Sequence, residues 1–254
     1  MRNRKLWAAF AGLTVLVIST VWATPTGVQT REVKKKPPLY SYIAVWNIPR
    51  DQWAAREKQA AAARKILDRA ISDGTIVAYG FDENPLHDTF CLAMSKAGLQ
   101  RVSDEFRKAG IAAAPSPAGV TPPPVSILVS HYYNWHAGSC KNAYVHVGIY
   151  KIKPDAPPDG VDVLSKNFFA PPLEKMLADG AIFEWETDTY ADPKEAPGTF
   201  LIAYLSATAE GLNKANSAVQ NTLKSRALKG PTFDFLVDVS ASRDVVVRSY
   251  AVYK

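Results

Sequence analysis

Histidine and cysteine are scarce in this 254-residue chain, and the common catalytic signatures are missing. Only four histidines (His87, His131, His136, His146) and two cysteines (Cys91, Cys140) occur. No Cys-x-x-Cys-His run is present, which excludes only covalently attached c-type haem. Walker, Rossmann, zincin and nucleophile-elbow patterns are absent too. His131 and His136 stand five residues apart; along a strand this puts them on opposite faces and rules out a paired ligand set. No concentrated basic face exists, which argues against a nucleic-acid partner. The formal net charge is +6, but Arg2, Arg4 and Lys5 supply half of it and Lys34–Lys36 the rest. The segment between Pro37 and the end is therefore close to neutral.

One long apolar run is present, Leu6 to Ala23, behind the positive start Met-Arg-Asn-Arg-Lys. It closes on Val21-Trp22-Ala23, with small residues where a signal peptidase looks. Residues 1–23 are thus expected to be a secretory signal cleaved after Ala23, with no stable membrane insertion afterwards. Because the run approaches the ~18 residues of a spanning helix, an uncleaved N-terminal anchor is the alternative. Residues 24–39, with the lysine triplet and Pro37-Pro38, read as a solvated flexible tether. Export places the remaining ~230 residues in the periplasm or outside the cell, where a Cys91–Cys140 disulfide is permitted though not required. Hydrophobic residues make up 47% of the chain, enough for a folded core.

The chain contains itself twice. Asp73-Gly74-Thr-Ile matches Asp179-Gly180-Ala-Ile, and Asp82 then matches Asp188 in step. Thr89-Phe90 matches Thr199-Phe200, Ala93 matches Ala203, and Gly98-Leu99 matches Gly211-Leu212, all in one order. Each half reads strand, helix, strand, strand, helix, strand. In the first half strands are expected near 40–48, 75–82, 88–95 and 125–133, with helices near 51–72 and 97–109. In the second they fall near 143–152, 181–189, 198–206 and 233–240, with helices near 162–178 and 209–224. A last strand, 244–253, is expected to hairpin back. The Pro-rich stretch 114–124 can be neither helix nor ladder.

Strand–helix–strand twice over is the ferredoxin-like unit, and two such units in one chain resemble the dimeric α/β-barrel superfamily in its fused, tandem form. That superfamily includes antibiotic-biosynthesis monooxygenase-like and stress-responsive barrel families. The resemblance rests on element order and duplication over residues 40–254, with no family motif. It implies an α+β fold: repeats 40–141 and 142–254, with antiparallel sheets packed face to face as a pseudo-dimeric barrel. Two ferredoxin-like domains side by side, without a shared lumen, are the alternative. Since both sheets lie in one chain, a monomer suffices for closure.

Alternation sorts each strand into two faces. Ile43 and Val45, matched by Val147 and Ile149, suit packing under helices. Tyr42, Ala44 and Trp46, matched by His146, Gly148 and Tyr150, are then expected to line the lumen. Tyr42, Trp46, His146 and Tyr150 are the candidate ligand-binding set, for a small apolar or aromatic molecule, unless they merely fill a sheet-to-sheet core. Glu184, Glu186 and Asp188 share one strand face, as do Asp234 and Asp238. The simpler reading makes them solvated outer positions; buried, they would raise one another's pKa and suit acid–base work.

Two catalytic sets are candidates. His87 with Asp82 at a hairpin suits a general base, its bland alternative being a surface histidine. The other is His146 with Tyr150 and Glu184. Some barrel families use a histidine and an aspartate, and some bind haem. Here no motif carries either over, so no cofactor and no metal are expected. Three functions follow: an exported small-molecule-binding or scaffold protein; a cofactor-independent barrel enzyme (oxygenation, isomerisation or lyase chemistry) on a small aromatic or ketone-like substrate; and a cell-envelope interaction module.

Overall fold

A computed structural model describes residues 33–46, 53–83, 87–111, 125–225 and 230–254. The expected leader and the first part of the tether lie outside these residues, as does the Pro-rich stretch up to Pro124.

In the first half β1 (Leu39–Trp46), α1 (Trp53–Ser72), β2 (Ala78–Glu83), β3 (His87–Ala93), α2 (Lys96–Lys108) and β4 (Val125–Trp135) follow one another. In the second, β5 (Gly138–Ile152) leads through α3 (Gly160–Val163), a π-helical stretch (Leu164–Phe169) and α4 (Ala170–Ala178) to β6 (Glu184–Tyr190). Then come β7 (Thr199–Ser206), α5 (Ala209–Lys224), α6 (Phe233–Leu236) and β8 (Val237–Tyr253). The eight strands close into one antiparallel barrel in the order β1-β3-β2-β8-β5-β7-β6-β4. Each half contributes four neighbouring strands, laid fourth, first, third, second. The seams are β2 against β8, in one continuous register (Phe81↔Tyr250), and β4 against β6, whose register shifts at a bulge between Ser130 and Tyr132 and continues through Tyr133↔Glu186. The halves thus share one hydrogen-bonded wall; they are not separate sheets side by side.

The matched residues of the two halves do matched work. Gly74 and Gly180 take φ of 77° and 71°, the left-handed turn that stops the preceding helix. Ser95 and Thr208 cap α2 and α5, accepting from Gly98 N at 3.2 Å and Gly211 N at 3.0 Å. Both glycines press against a carbonyl just past the first turn. A Cβ on Gly98 would lie 2.6 Å from Thr75 O, and one on Gly211 2.2 Å from Ala181 O.

The core has three parts. Outside the first half, Ile66 and Leu67 of α1 and Leu99 and Phe106 of α2 cover Tyr79 and Cys91. Outside the second, Phe168, Phe169, Leu173 and Leu212 cover Tyr150, Trp185 and Tyr204. The third cluster is internal. It draws Leu39, Ala78, Leu92, Tyr133, Val145, Leu205 and Val247 from every strand except β6, which only the inside of a closed barrel can do.

Three expectations need correction. The helix expected over 162–178 is broken, because Pro171 and Pro172 at the start of α4 lack the N–H groups a regular ladder needs; the turns before them open into the π-helical stretch. The C-terminal hairpin does not form. Val237–Tyr253 is one strand; Ser240 N–H and Oγ donate to Asp238 Oδ1, and the pairing with β5 skips from Asp238 to Arg243. The run Val239–Ser242 is therefore a bulge. The end of the expected tether is docked: Lys36 N–H donates to His131 O at 2.8 Å and Tyr133 Oη to Pro37 O at 3.0 Å.

Candidate functional site

The missing apolar contribution of β6 identifies the site. Register places Glu184 beside Leu205 and Glu186 beside Ala203, and Leu205 belongs to the internal cluster. Alternation then puts Glu184, Glu186 and Asp188 together on the inner wall. All three are buried, at 4%, 8% and 3% exposure. Asp82, the in-step partner of Asp188 in the first half, is buried on β2 and acts on Glu184 from across the lumen. The reading of these acids as solvated edge positions is overturned. Asp234 behaves as expected of a solvated acid, exposed on α6, and Asp238 sits half-buried at the bulge.

Four carboxyls in a closed interior cannot all be charged, because burial and mutual repulsion both penalise the anion. Glu184 and Asp188 are held well above the carboxylate range, first by burial and then by neighbouring acids. Burial pushes Glu186 up to about 7. Two groups work the other way. Ser41 Oγ on β1 donates to Glu186 Oε2 at 3.5 Å, and the Tyr253 hydroxyl on β8 turns toward the Glu184 carboxyl, favouring its ionised form. Glu184 Oε1, Asp188 Oδ1 and Ser249 Oγ are buried without a hydrogen-bond partner. Ser249 stands opposite Asp82 in the β2–β8 register, so it too is on the lumen face. Orphan polar atoms in a barrel core each cost roughly 1–3 kcal/mol, a penalty that a polar guest would relieve.

No family model matches this sequence, and no curated protein is similar to it in sequence. Solved structures do resemble it. A candidate monooxygenase from Lactobacillus acidophilus NCFM superposes with a TM-score of 0.55 at 10% identity, over 86% of this chain and 97% of that one. A candidate monooxygenase from Fusobacterium nucleatum subsp. nucleatum gives 0.53 at 8% identity, over 87% and 94%. A variant of chlorite dismutase from Candidatus Nitrospira defluvii gives 0.50 at 11% identity, over 84% and 90%. These likenesses are of fold: an eight-stranded antiparallel barrel with helices packed outside it.

Within that barrel the aromatic face expected to line the lumen faces outward. Tyr42 packs with the cluster under α1 and α2, and Tyr150 with the cluster under α4 and α5. The inner positions of β5 are Val145 and Val147, the face expected to lie under helices. Tyr42 instead lines an external groove of about 550 Å³, with Lys96, Leu99, Val125, Ile127 and Glu195. The side chains of Trp46 and His87 lie outside the described residues; their backbones pair with each other between β1 and β3. The proposed His87–Asp82 pair therefore has only one described partner.

His146 and Tyr150 do come together, but not with Glu184. His146 Nε2 lies 3.2 Å from Asp244 Oδ1, and Tyr150 Oη donates to the same oxygen at 3.4 Å. The His146 ring stacks on Tyr204 at 4.6 Å. His146 therefore lies on the helix side of the wall with Tyr150 and Tyr204, not on the lumen face, and its Nδ1 is buried without a partner. His131 Nδ1 lies 3.1 Å from Lys36 O, and His136 Nε2 2.9 Å from Leu177 O, both at the edge of the fold. Cys91 and Cys140 are free, one under the helices and the other in the internal cluster, so the wall between them forbids a disulfide. Ser41, Ser249, Tyr253 and Asp244 escaped the sequence reading.

Proposed function

We propose that this protein binds a small polar molecule inside its barrel, with the Glu184–Glu186–Asp188 row and Asp82 as the polar wall. The observation that carries the reading is the set of buried lumen atoms without partners, Glu184 Oε1, Asp188 Oδ1 and Ser249 Oγ. A closed apolar barrel gains nothing from such groups unless a guest uses them. The guest chemistry differs from the aromatic ligand first expected, because Tyr42 and Tyr150 are turned to the helices and the lumen carries buried acids instead. The test is a thermal-shift screen of small amines, polyols, sugars and carboxylic acids. A hit that stabilises the wild-type chain and loses its effect in Glu186→Gln supports the reading; no hit, or hits indifferent to the substitution, would overturn it.

Acid–base catalysis on a small ketone-like substrate is the second reading, favoured by one observation: the Glu186 carboxyl is pushed up to about 7, where it can both give and take a proton near neutrality. A turnover with an inflection near that pH, lost in Glu186→Gln, would carry it. The halves are read as tandem ferredoxin-like repeats, 40–141 and 142–254, descended from one duplicated unit. Residues 1–23 are read as an export signal; mass spectrometry of the secreted chain should find Thr24 first.

A further inference from the structure

From the layout of the lumen acids we infer the ligand class: a linear aliphatic amine carrying two or more ammonium groups. The inference rests on the lumen-binding reading above. Glu184, Glu186 and Asp188 occupy alternate positions of one strand, so successive carboxyl-bearing residues stand ~6.7 Å apart and the outer two ~13 Å. A metal ion must gather its oxygens to within ~2.6 Å of one point, and among the described residues no three acids, histidines or cysteines converge to hold one. A row of acids is the complement of charges in series along an extended molecule. Asp82, acting on Glu184 from the far wall, adds a fourth carboxyl at one end of the row. Ser249 Oγ, 3% exposed and without a partner, offers an acceptor beside it.

The rest of the lumen suits the methylene body of such a ligand. Leu39, Leu92, Leu128, Val145, Leu205 and Val247 are buried, and five of these six are joined in the internal cluster. Tyr133 from β4 and Tyr253 from β8 add aromatic rings to the same internal cluster, a surface that ammonium groups favour.

No lysine, arginine or histidine is among the groups acting on the three β6 carboxyls. Their surroundings are Asp82 from β2, Ser249 and Tyr253 from β8, Ser41 from β1, Tyr133 from β4 and Cys140 from β5. Phe90 and Leu92 of β3 and Ala203 and Leu205 of β7 bring no ionisable group. The empty row is therefore neutralised by protons. A bound ammonium takes their place, and each proton so displaced leaves to solvent.

The experiment is calorimetric titration of the full chain with 1,4-diaminobutane, spermidine, n-butylamine and 1,4-butanediol. It is run at pH 6 and pH 8, in two buffers of different ionisation enthalpy. The diamine is expected to bind about tenfold more tightly at pH 8 than at pH 6, one displaced proton being worth about a factor of ten per pH unit at most. Proton release should appear as a buffer-dependent heat. The monoamine should bind at least about tenfold more weakly than the diamine, and the diol not at all. Glu186→Gln should weaken the diamine by a similar factor while melting no lower than wild type at pH 8, which separates lost binding from lost folding. If the diol, sugars or acids bind and the amines do not, the lumen site survives and the amine assignment falls. If nothing binds, both fall.

Discussion

Ser41 on β1 donates its hydroxyl to Glu186 on β6, 145 residues away in sequence, across 3.5 Å of barrel interior. Among the described residues it is the one partner acting to lower a Glu186 carboxyl that burial pushes up to about 7. A first consequence concerns stability. The folded chain holds the Glu186 proton to about pH 7, whereas the unfolded chain releases it near the ordinary value of 4.5. Between those values the folded state binds more protons, so stability is greatest below the lower value and falls as pH rises through the upper one. With each pKa unit worth about 1.4 kcal/mol, the loss from this group is roughly 3 kcal/mol. Glu184 and Asp188 act in the same direction. Urea unfolding at pH 5, 6, 7 and 8 should show a steady decline, and Glu186→Gln should flatten a large part of it. Stability rising over that range would refute the buried row.

The Tyr253 hydroxyl gives a second prediction. Its contact with Glu184 is the influence favouring that carboxyl's ionised form, opposed by burial and three acids. Tyr253→Phe should raise the Glu184 pKa further and lower stability by about 1 kcal/mol, since a buried hydroxyl partner is removed without opening a large cavity. Carbon-13 titration of the glutamate carboxyls reads the first effect and thermal melting the second. A Glu184 carboxyl titration identical in Tyr253→Phe and the wild type would place the hydroxyl elsewhere.

The matched helix starts of the two halves predict a paired phenotype. Gly98 and Gly211 are matched positions in the two halves, each against the carbonyl that follows the helix-stopping Asp-Gly turn. Gly98→Ala and Gly211→Ala must each push that carbonyl or the helix away, an overpacking effect of about 1–3 kcal/mol. The second should be the more severe. Its Cβ meets Ala181 O at 2.2 Å and Ser206 Oγ at 2.4 Å, against 2.6 Å from Thr75 O for the first. Equilibrium unfolding of the two variants checks both the sign and the order.

These glycines show why the architecture was legible. A close approach that only glycine tolerates, a cap three residues before it and a left-handed stop leave identities in fixed order, and from them the element sequence follows. The face assignment failed for an equally physical reason. A barrel wall is buried on both sides, by helices outside and by the opposite wall inside, so alternation separates two faces without saying which is inner. Tyr42 and Tyr150 looked like lumen residues because large aromatics suggest a pocket, whereas they are the footing of the helices. Glu184, Glu186 and Asp188 looked solvated because isolated acids usually are. Their burial depends on strands β2, β4, β7 and β8 closing around them, which no local pattern records.

The cysteines allow the last prediction, in which the barrel wall itself is the variable. Cys91 lies wholly buried beneath α1 and α2, and burial pushes its thiol up to about 12. Cys140 faces the interior and is raised by burial as well. A thiol attacks only as its thiolate, so at pH 8 neither should react with a maleimide or an aromatic disulfide reagent while the chain is folded. Both should react at once in denaturant. Because the wall separates them, the chain isolated under oxidising conditions should still titrate two free thiols after unfolding. A mass two units lower, with no thiol released, would mean that Cys91 and Cys140 had met and that the strands carrying them had separated from the barrel.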